Sequence, residues 1–203
     1  MQDIEIRQKQ KEVLERIRKR STDLVRVSGL VVYLLLDTSG SMEGQNLVQA
    51  KRGAINFAED ARSKGYALGL IQFSSTATHL CEPQRDISVL NQYLERIYAD
   101  GSTNMTDAIL LALQTMSDRK GYRAVVIVTD GMPNSQETAL EAAQEAKANG
   151  IDILAIGTDG ADRDFLAKLA SKTELSVKVL SERLEQGITS MAKLLPLSGK
   201  GGK

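Results

Sequence analysis

The chain has 203 residues, 42% of them hydrophobic and 4% aromatic, with no tryptophan; this excludes a disordered or fibrous protein and favours one α/β domain with appendages. Lys plus Arg and Asp plus Glu each number 26, and that neutral balance argues against generic nucleic-acid binding, which needs a basic surplus to neutralise phosphates. The single cysteine, Cys81, excludes an intrachain disulfide framework.

In chain order, residues 1–28 form a charged extension. Ile6, Val13, Leu14 and Ile17 share one face at helical spacing, so an amphipathic helix is expected there, packed on the domain or docked on a partner. The N-terminal MQDIEIRQKQ is charged and has no apolar core, so it does not read as a signal peptide. No apolar run approaches the roughly 20 residues that cross a bilayer, and the simplest reading is a soluble cytoplasmic protein.

From Leu30 the pattern changes. LVVYLLL, 30–36, is a continuous apolar run, as in a strand buried on both faces. A helix over 46–64 follows, then strands at 66–73 and 76–82 whose short link SST predicts a hairpin. His79 and Cys81 alternate on the second of these strands and are expected on one face, Cys81 as a packed small hydrophobe. Next come a helix at 87–98, the polar loop ADGSTN, a helix at 104–118, and RAVVIVT, 123–129, a second buried strand. A helix at 135–149 ends at Gly150, and a strand at 151–156 ends at Gly157. A helix at 162–172, a strand at 176–180 and a helix at 182–195, stopped by Pro196, complete the domain, 29–195; 196–203 read as a disordered Gly/Lys tail. Asp159, Asp162 and Asp164 crowd the start of the 162–172 helix and read as caps. Alternating strands and helices predict a doubly wound, mostly parallel six-stranded sheet, helices on both faces, with the hairpin strand as its antiparallel edge.

Two acids directly follow the two most apolar strands: Asp37 after LVVYLLL and Asp130 after RAVVIVT. If those strands are neighbours where the strand order reverses, both carboxylates face one crevice and need a cation or a shared proton. Ser39 and Ser41 flank a glycine that permits a tight turn, and Thr103 adds a third hydroxyl. Hard oxygen donors with few charges suit Mg²⁺, with Mn²⁺ or Ca²⁺ as alternatives; no histidine or thiolate belongs to the set, which argues against zinc. Asp107, one turn beyond Thr103, reads either as a supporting group or as a first-turn carboxylate favoured by the helix dipole. Met42 and Glu43, just after the serines, are expected on the surface that meets a partner.

Asp37-Thr38-Ser39-Gly40-Ser41 resembles the DxSxS motif of von Willebrand factor A domains. Gly101-Ser102-Thr103 resembles that family's threonine loop, with Ser102 where a second glycine is frequent, and Thr129-Asp130-Gly131 resembles its TDG segment. The three segments occur in the family's order and span a resemblance over about 29–195. The resemblance implies a metal-ion-dependent adhesion site in which Ser39, Ser41 and Thr103 ligate through hydroxyls. Asp37 and Asp130 act mainly through water, and one position stays open for a partner's Glu or Asp. It also implies a non-catalytic subunit of an intracellular assembly, beside an AAA+ ATPase or with kinase and phosphatase partners. Two alternatives stand. One is a Mg²⁺-dependent phosphohydrolase of haloacid-dehalogenase-like type with Asp37 as nucleophile, disfavoured because Ser39 stands where a second acid is needed and no lysine ends a later strand. The other is a metal-stabilised scaffold that self-assembles through its N-terminal helix.

Overall fold

The computed structural model describes residues 29–197. The extension at 1–28, with its expected helix, and residues 198–203 of the tail lie outside them. The elements are β1 (Leu30–Asp37), α1 (Gln45–Ser63), β2 (Tyr66–Phe73), β3 (Ala77–Gln84), α2 (Ile87–Arg96) and α3 (Met105–Met116). They continue with β4 (Arg123–Thr129), α4 (Gln136–Ala148), β5 (Ile151–Gly157), α5 (Arg163–Leu169), β6 (Ser176–Lys178) and α6 (Leu184–Met191).

The strands form one sheet in the order β3-β2-β1-β4-β5-β6. Only β2 and β3 pair antiparallel; the other four pairings are parallel. This is the doubly wound sheet expected from the alternation of strands and helices, with the hairpin strand at its edge. The apolar run of β1 is explained by its central place. Val32, Leu34 and Leu36 pack against α1, α2 and α6, while Val31, Tyr33 and Leu35 pack against α3, α4 and α5. A strand covered on both faces has no room for a polar residue until it leaves the sheet.

The edge strand corrects one expectation. Cys81 is opposite Leu70 but His79 is opposite Ile71, so one extra residue of β3 is inserted between the two pairs. Such a bulge reverses the facing of everything beyond it. Cys81 therefore packs in the α1 layer, where burial pushes its thiol up. His79 turns to the other layer, where its Nε2 meets Tyr33 Oη at 2.9 Å. The tyrosine crosses β2 to reach it, and Gly69 provides the passage: a Cβ there would stand 2.2 Å from Tyr33 Cε1. Burial pushes the Tyr33 phenol up to about 12.

Helix starts follow their caps. Asp86, Asn104, Ser135 and Asp162 each accept a hydrogen bond from a backbone N–H in the first turn of α2, α3, α4 and α5. Asp162 thus takes the capping role expected of its cluster, whereas Asp159 accepts from the N–H and hydroxyl of Ser181 instead. The helix expected over 162–172 stops earlier. Ala170 turns extended, and Ser171 pairs with β5, its N–H donating to Ile153 O and its hydroxyl accepting from Ile153 N–H.

Candidate metal centre

β1 and β4 are neighbours, and their helices leave on opposite faces of the sheet. This is the reversal point at which doubly wound sheets open a crevice beyond their strand ends. Asp37 is the last residue of β1 and Asp130 the first beyond β4.

Asp37 is fully buried. Its Oδ1 accepts from Ser39 N–H at 2.8 Å and its Oδ2 from Thr129 Oγ1 at 2.6 Å. Burial nevertheless raises its carboxyl to about 6; the Ser39 and Thr129 hydrogen bonds pull the other way, and the negative charge of Asp130 adds to the rise. The loop is pinned by Thr38, which donates both its N–H and its hydroxyl to Phe73 O, at 2.8 and 3.1 Å.

Asp130 receives Ser41 Oγ at 2.7 Å on one oxygen and Asn46 Nδ2 at 2.9 Å on the other. Ser41 has one hydroxyl proton and gives it to Asp130, so Ser39 is the donor in the 3.1 Å contact between the two serine hydroxyls. Ser39 Oγ keeps its lone pairs. Asp37, Ser39, Ser41 and Asp130 thus form one hydrogen-bonded set. Ser39 N–H, Thr129 Oγ1, Ser41 Oγ and Asn46 Nδ2, which donate to the two carboxylates, are all neutral and do not cancel their negative charge.

Thr103 is buried in the adjacent loop. Gly40 N–H donates to Gly101 O at 3.0 Å and Asp100 N–H to Thr38 O at 2.8 Å, which join that loop to the serine loop. Gly101 has φ +77°, a left-handed conformation that favours glycine at this turn, and a Cβ on it would also push against Ser75 Oγ, 2.5 Å away. On the far side, Gly160 approaches Asp130 so closely that a Cβ would lie 2.3 Å from Asp130 O.

All five expected residues therefore lie on three loops that are hydrogen-bonded to one another. Among the described residues no group of three or more His, Cys, Asp or Glu could hold a metal ion; the set depends on hydroxyls, and its oxygen chemistry fits a hard divalent cation. Asn46, Thr129 and Asn134 were not singled out by sequence. Thr129 stood in view beside Asp130, but Asn46 and Asn134 carry no spacing signal of their own. Met42 is not at the surface as expected: it is fully buried in the α1 layer, because the turn at Gly40–Met42 rolls it inward, while Glu43 is exposed. Asp107 is exposed in the first turn of α3, where the helix dipole favours its charge.

The model of the von Willebrand factor type A domain matches residues 32–190. Inter-alpha-trypsin inhibitor heavy chain H4 of Sus scrofa is 27% identical over 132 residues, 60% of this chain and 14% of that protein. A UPF0353 protein of Mycobacterium bovis is 30% identical over 146 residues, 62% of this chain and 43% of the relative. The chain thus spans less than half the length of these relatives. Among solved structures, the vWF domain of the type V pili tip protein Mfa5 from Porphyromonas gingivalis superposes with a TM-score of 0.75 at 14% identity, covering 87% of this chain and 98% of that one. Proximal thread matrix protein 1 of the mussel byssus, with a zinc-occupied MIDAS motif, gives 0.71 at 18% identity, covering 83% and 46%. With the family model matched from within β1 to within α6, and the strand order already in hand, the chain belongs to the von Willebrand factor type A domain family.

Proposed function

We propose that the chain is a non-catalytic, metal-dependent protein-binding module. Asp37, Ser39, Ser41, Thr103 and Asp130 hold a divalent cation, Mg²⁺ first, and a Glu or Asp of a protein partner completes its coordination. The observation that supports this most is the buried, raised carboxyl of Asp37 beside Asp130, with neutral hydroxyls between them. Two acids so placed favour a cation, and hydroxyl donors leave much of its charge for an external anion. When bound, the cation supplies a Lewis-acidic position for that carboxylate. The chain's own part is to keep the Ser39 and Ser41 hydroxyls together, 3.1 Å apart, and to seat Asp37 out of water. Among the relatives named above, one is an inter-alpha-trypsin inhibitor heavy chain. The zinc recorded for the mussel protein's motif makes the choice of ion part of the test.

Calorimetry with Mg²⁺, Mn²⁺, Ca²⁺ and Zn²⁺ is expected to give one site, with Mg²⁺ or Mn²⁺ bound and the heat lost in Ser39→Ala/Ser41→Ala. Equal heat from that double variant contradicts the assignment. A proton competes with the ion at Asp37, so affinity should fall as pH drops through about 6 and level off well above it. An affinity unchanged between pH 5 and 7.5 would refute the role of Asp37.

The partner contact has its own test. Binding in a source lysate should require Mg²⁺ and vanish in EDTA, since bare Asp37 and Asp130 would then repel the partner's acid. Changing the partner's key Glu or Asp to its amide should act like EDTA; undiminished binding in EDTA leaves the metal without a role. Among the described residues no helix is long and apolar enough to cross a membrane. A cytoplasmic subunit working with an AAA+ ATPase or with kinase and phosphatase partners belongs to this reading.

A further inference from the structure

Thr103 is held by one distant residue. Its N–H donates to Asn134 Oδ1 at 3.0 Å, and its carbonyl accepts from Asn134 N–H at 2.9 Å. A single asparagine, on the loop that leaves Asp130, therefore satisfies both backbone groups of a buried threonine. The Asn134 amide then donates to Ser102 Oγ at 3.2 Å, and Ser102 in turn meets Ser75, hydroxyl to hydroxyl at 3.3 Å and N–H to Oγ at 3.1 Å. Ser75 lies in the turn between β2 and β3, where Ser74 O also accepts from Asn104 N–H at 2.6 Å. Behind the clasp, Thr106 and Thr138 join the first turns of α3 and α4 through their hydroxyls at 2.8 Å.

We propose that Asn134, braced by Ser102 and Ser75, is a positioning residue that locks the Thr103 loop to the Asp130 loop, so that these two ligand loops move as one body. The proposal rests on the metal reading above. Ser102 gains a purpose here: a glycine at that position would leave the Asn134 amide without its hydroxyl acceptor. The clasp fixes the backbone of Thr103 before any ion arrives, and a donor held in place loses less freedom on binding than one that must be ordered. Asn134 and Ser102 are both exposed, so their truncation removes the side-chain bonds of the clasp without opening the core, and leaves the Asn134 N–H on Thr103 O in place.

Two measurements on the same proteins test this. In EDTA, amide hydrogen exchange at Thr103 should speed up at least about tenfold in Asn134→Ala and less in Ser102→Ala, with exchange at β1 and β4 unchanged. With Mg²⁺, calorimetry should show the affinity weakened about five- to tenfold in Asn134→Ala. The Ser102→Ala/Asn134→Ala double variant should be no worse than Asn134→Ala alone, because both substitutions break one chain of bonds. Unchanged exchange at Thr103 in EDTA overturns the clasp whatever the metal does. Faster exchange with unchanged Mg²⁺ affinity overturns its role in positioning a ligand. Wild-type protein that takes up no Mg²⁺ removes the metal reading and the proposal with it, and the metal-free exchange data tell that failure apart from failure of the clasp.

Discussion

Replacing Asp37 by asparagine is expected to abolish metal binding and, in metal-free buffer at pH 7, to raise stability. The carboxyl sits fully buried and is raised to about 6 in the folded chain, against about 3.9 when unfolded. Folding thus favours its protonated form. The favourable contribution is fully present below about pH 3.9 and is lost as pH rises through the folded value of about 6. At pH 7 the metal-free protein carries an ionised group that costs up to about 3 kcal/mol relative to the neutral one. Asparagine keeps the shape and has no charge to bury. Its carbonyl can accept from Ser39 N–H, and its amide can donate to Thr129 Oγ1, whose own proton can turn to Gly131 O at 3.3 Å. Scanning calorimetry in EDTA should therefore show Asp37→Asn melting above wild type at pH 7 and level with it near pH 4. Mg²⁺ should raise the melting temperature of wild type alone. A variant that melts lower than wild type in EDTA at pH 7 would show that Asp37 is a structural acid whose hydrogen bonds outweigh its burial.

Gly69→Ala should be the most damaging small substitution in the sheet. The added methyl would stand 2.2–2.6 Å from three ring atoms of Tyr33, and that ring is itself wedged in the α3 layer of the core. Neither backbone can yield, since β1 and β2 are paired along eight residues. Overpacking of this kind costs about 1–3 kcal/mol or more, a fall in melting temperature of about 3–10 °C for a domain of this size. The hydrogen bond to His79 should break at the same time, visible as a shift of the imidazole resonances. The cause can be isolated: in a Tyr33→Leu background, which opens the space, Gly69→Ala should cost markedly less. Equal costs in the two backgrounds would refute the steric account.

The sequence made the fold legible wherever burial was two-sided. The runs at 30–36 and 123–129 read as strands buried on both faces, and the acid at the end of each pointed to a shared crevice on condition that the two strands are neighbours, which the strand order meets. Local order was legible too, down to Asp162 as a cap. Sequence reading failed where a contact depends on something far along the chain. The facing of His79 and Cys81 was misjudged because a bulge has no signature in simple alternation. Met42 was placed outside because its polar neighbours hid a turn that rolls it inward. Asn46 and Asn134 look like ordinary surface amides until pairing of β1 with β4 brings their partners within reach.

That pairing also sets when the site can exist during synthesis. Ser41 and Asp130 are 89 positions apart, and Asp37 and Thr129 are 92 apart, so the two acids meet only after a long loop has closed. The serine loop leaves the ribosome with β1, α1 and the β2–β3 hairpin, while one flank of the most apolar strand in the chain still waits for β4. A nascent chain ending before Arg123 has every hydroxyl of the first loop and no centre. An ion bound as proposed above could not guide that search; it would stabilise only a chain whose two central strands have already found each other.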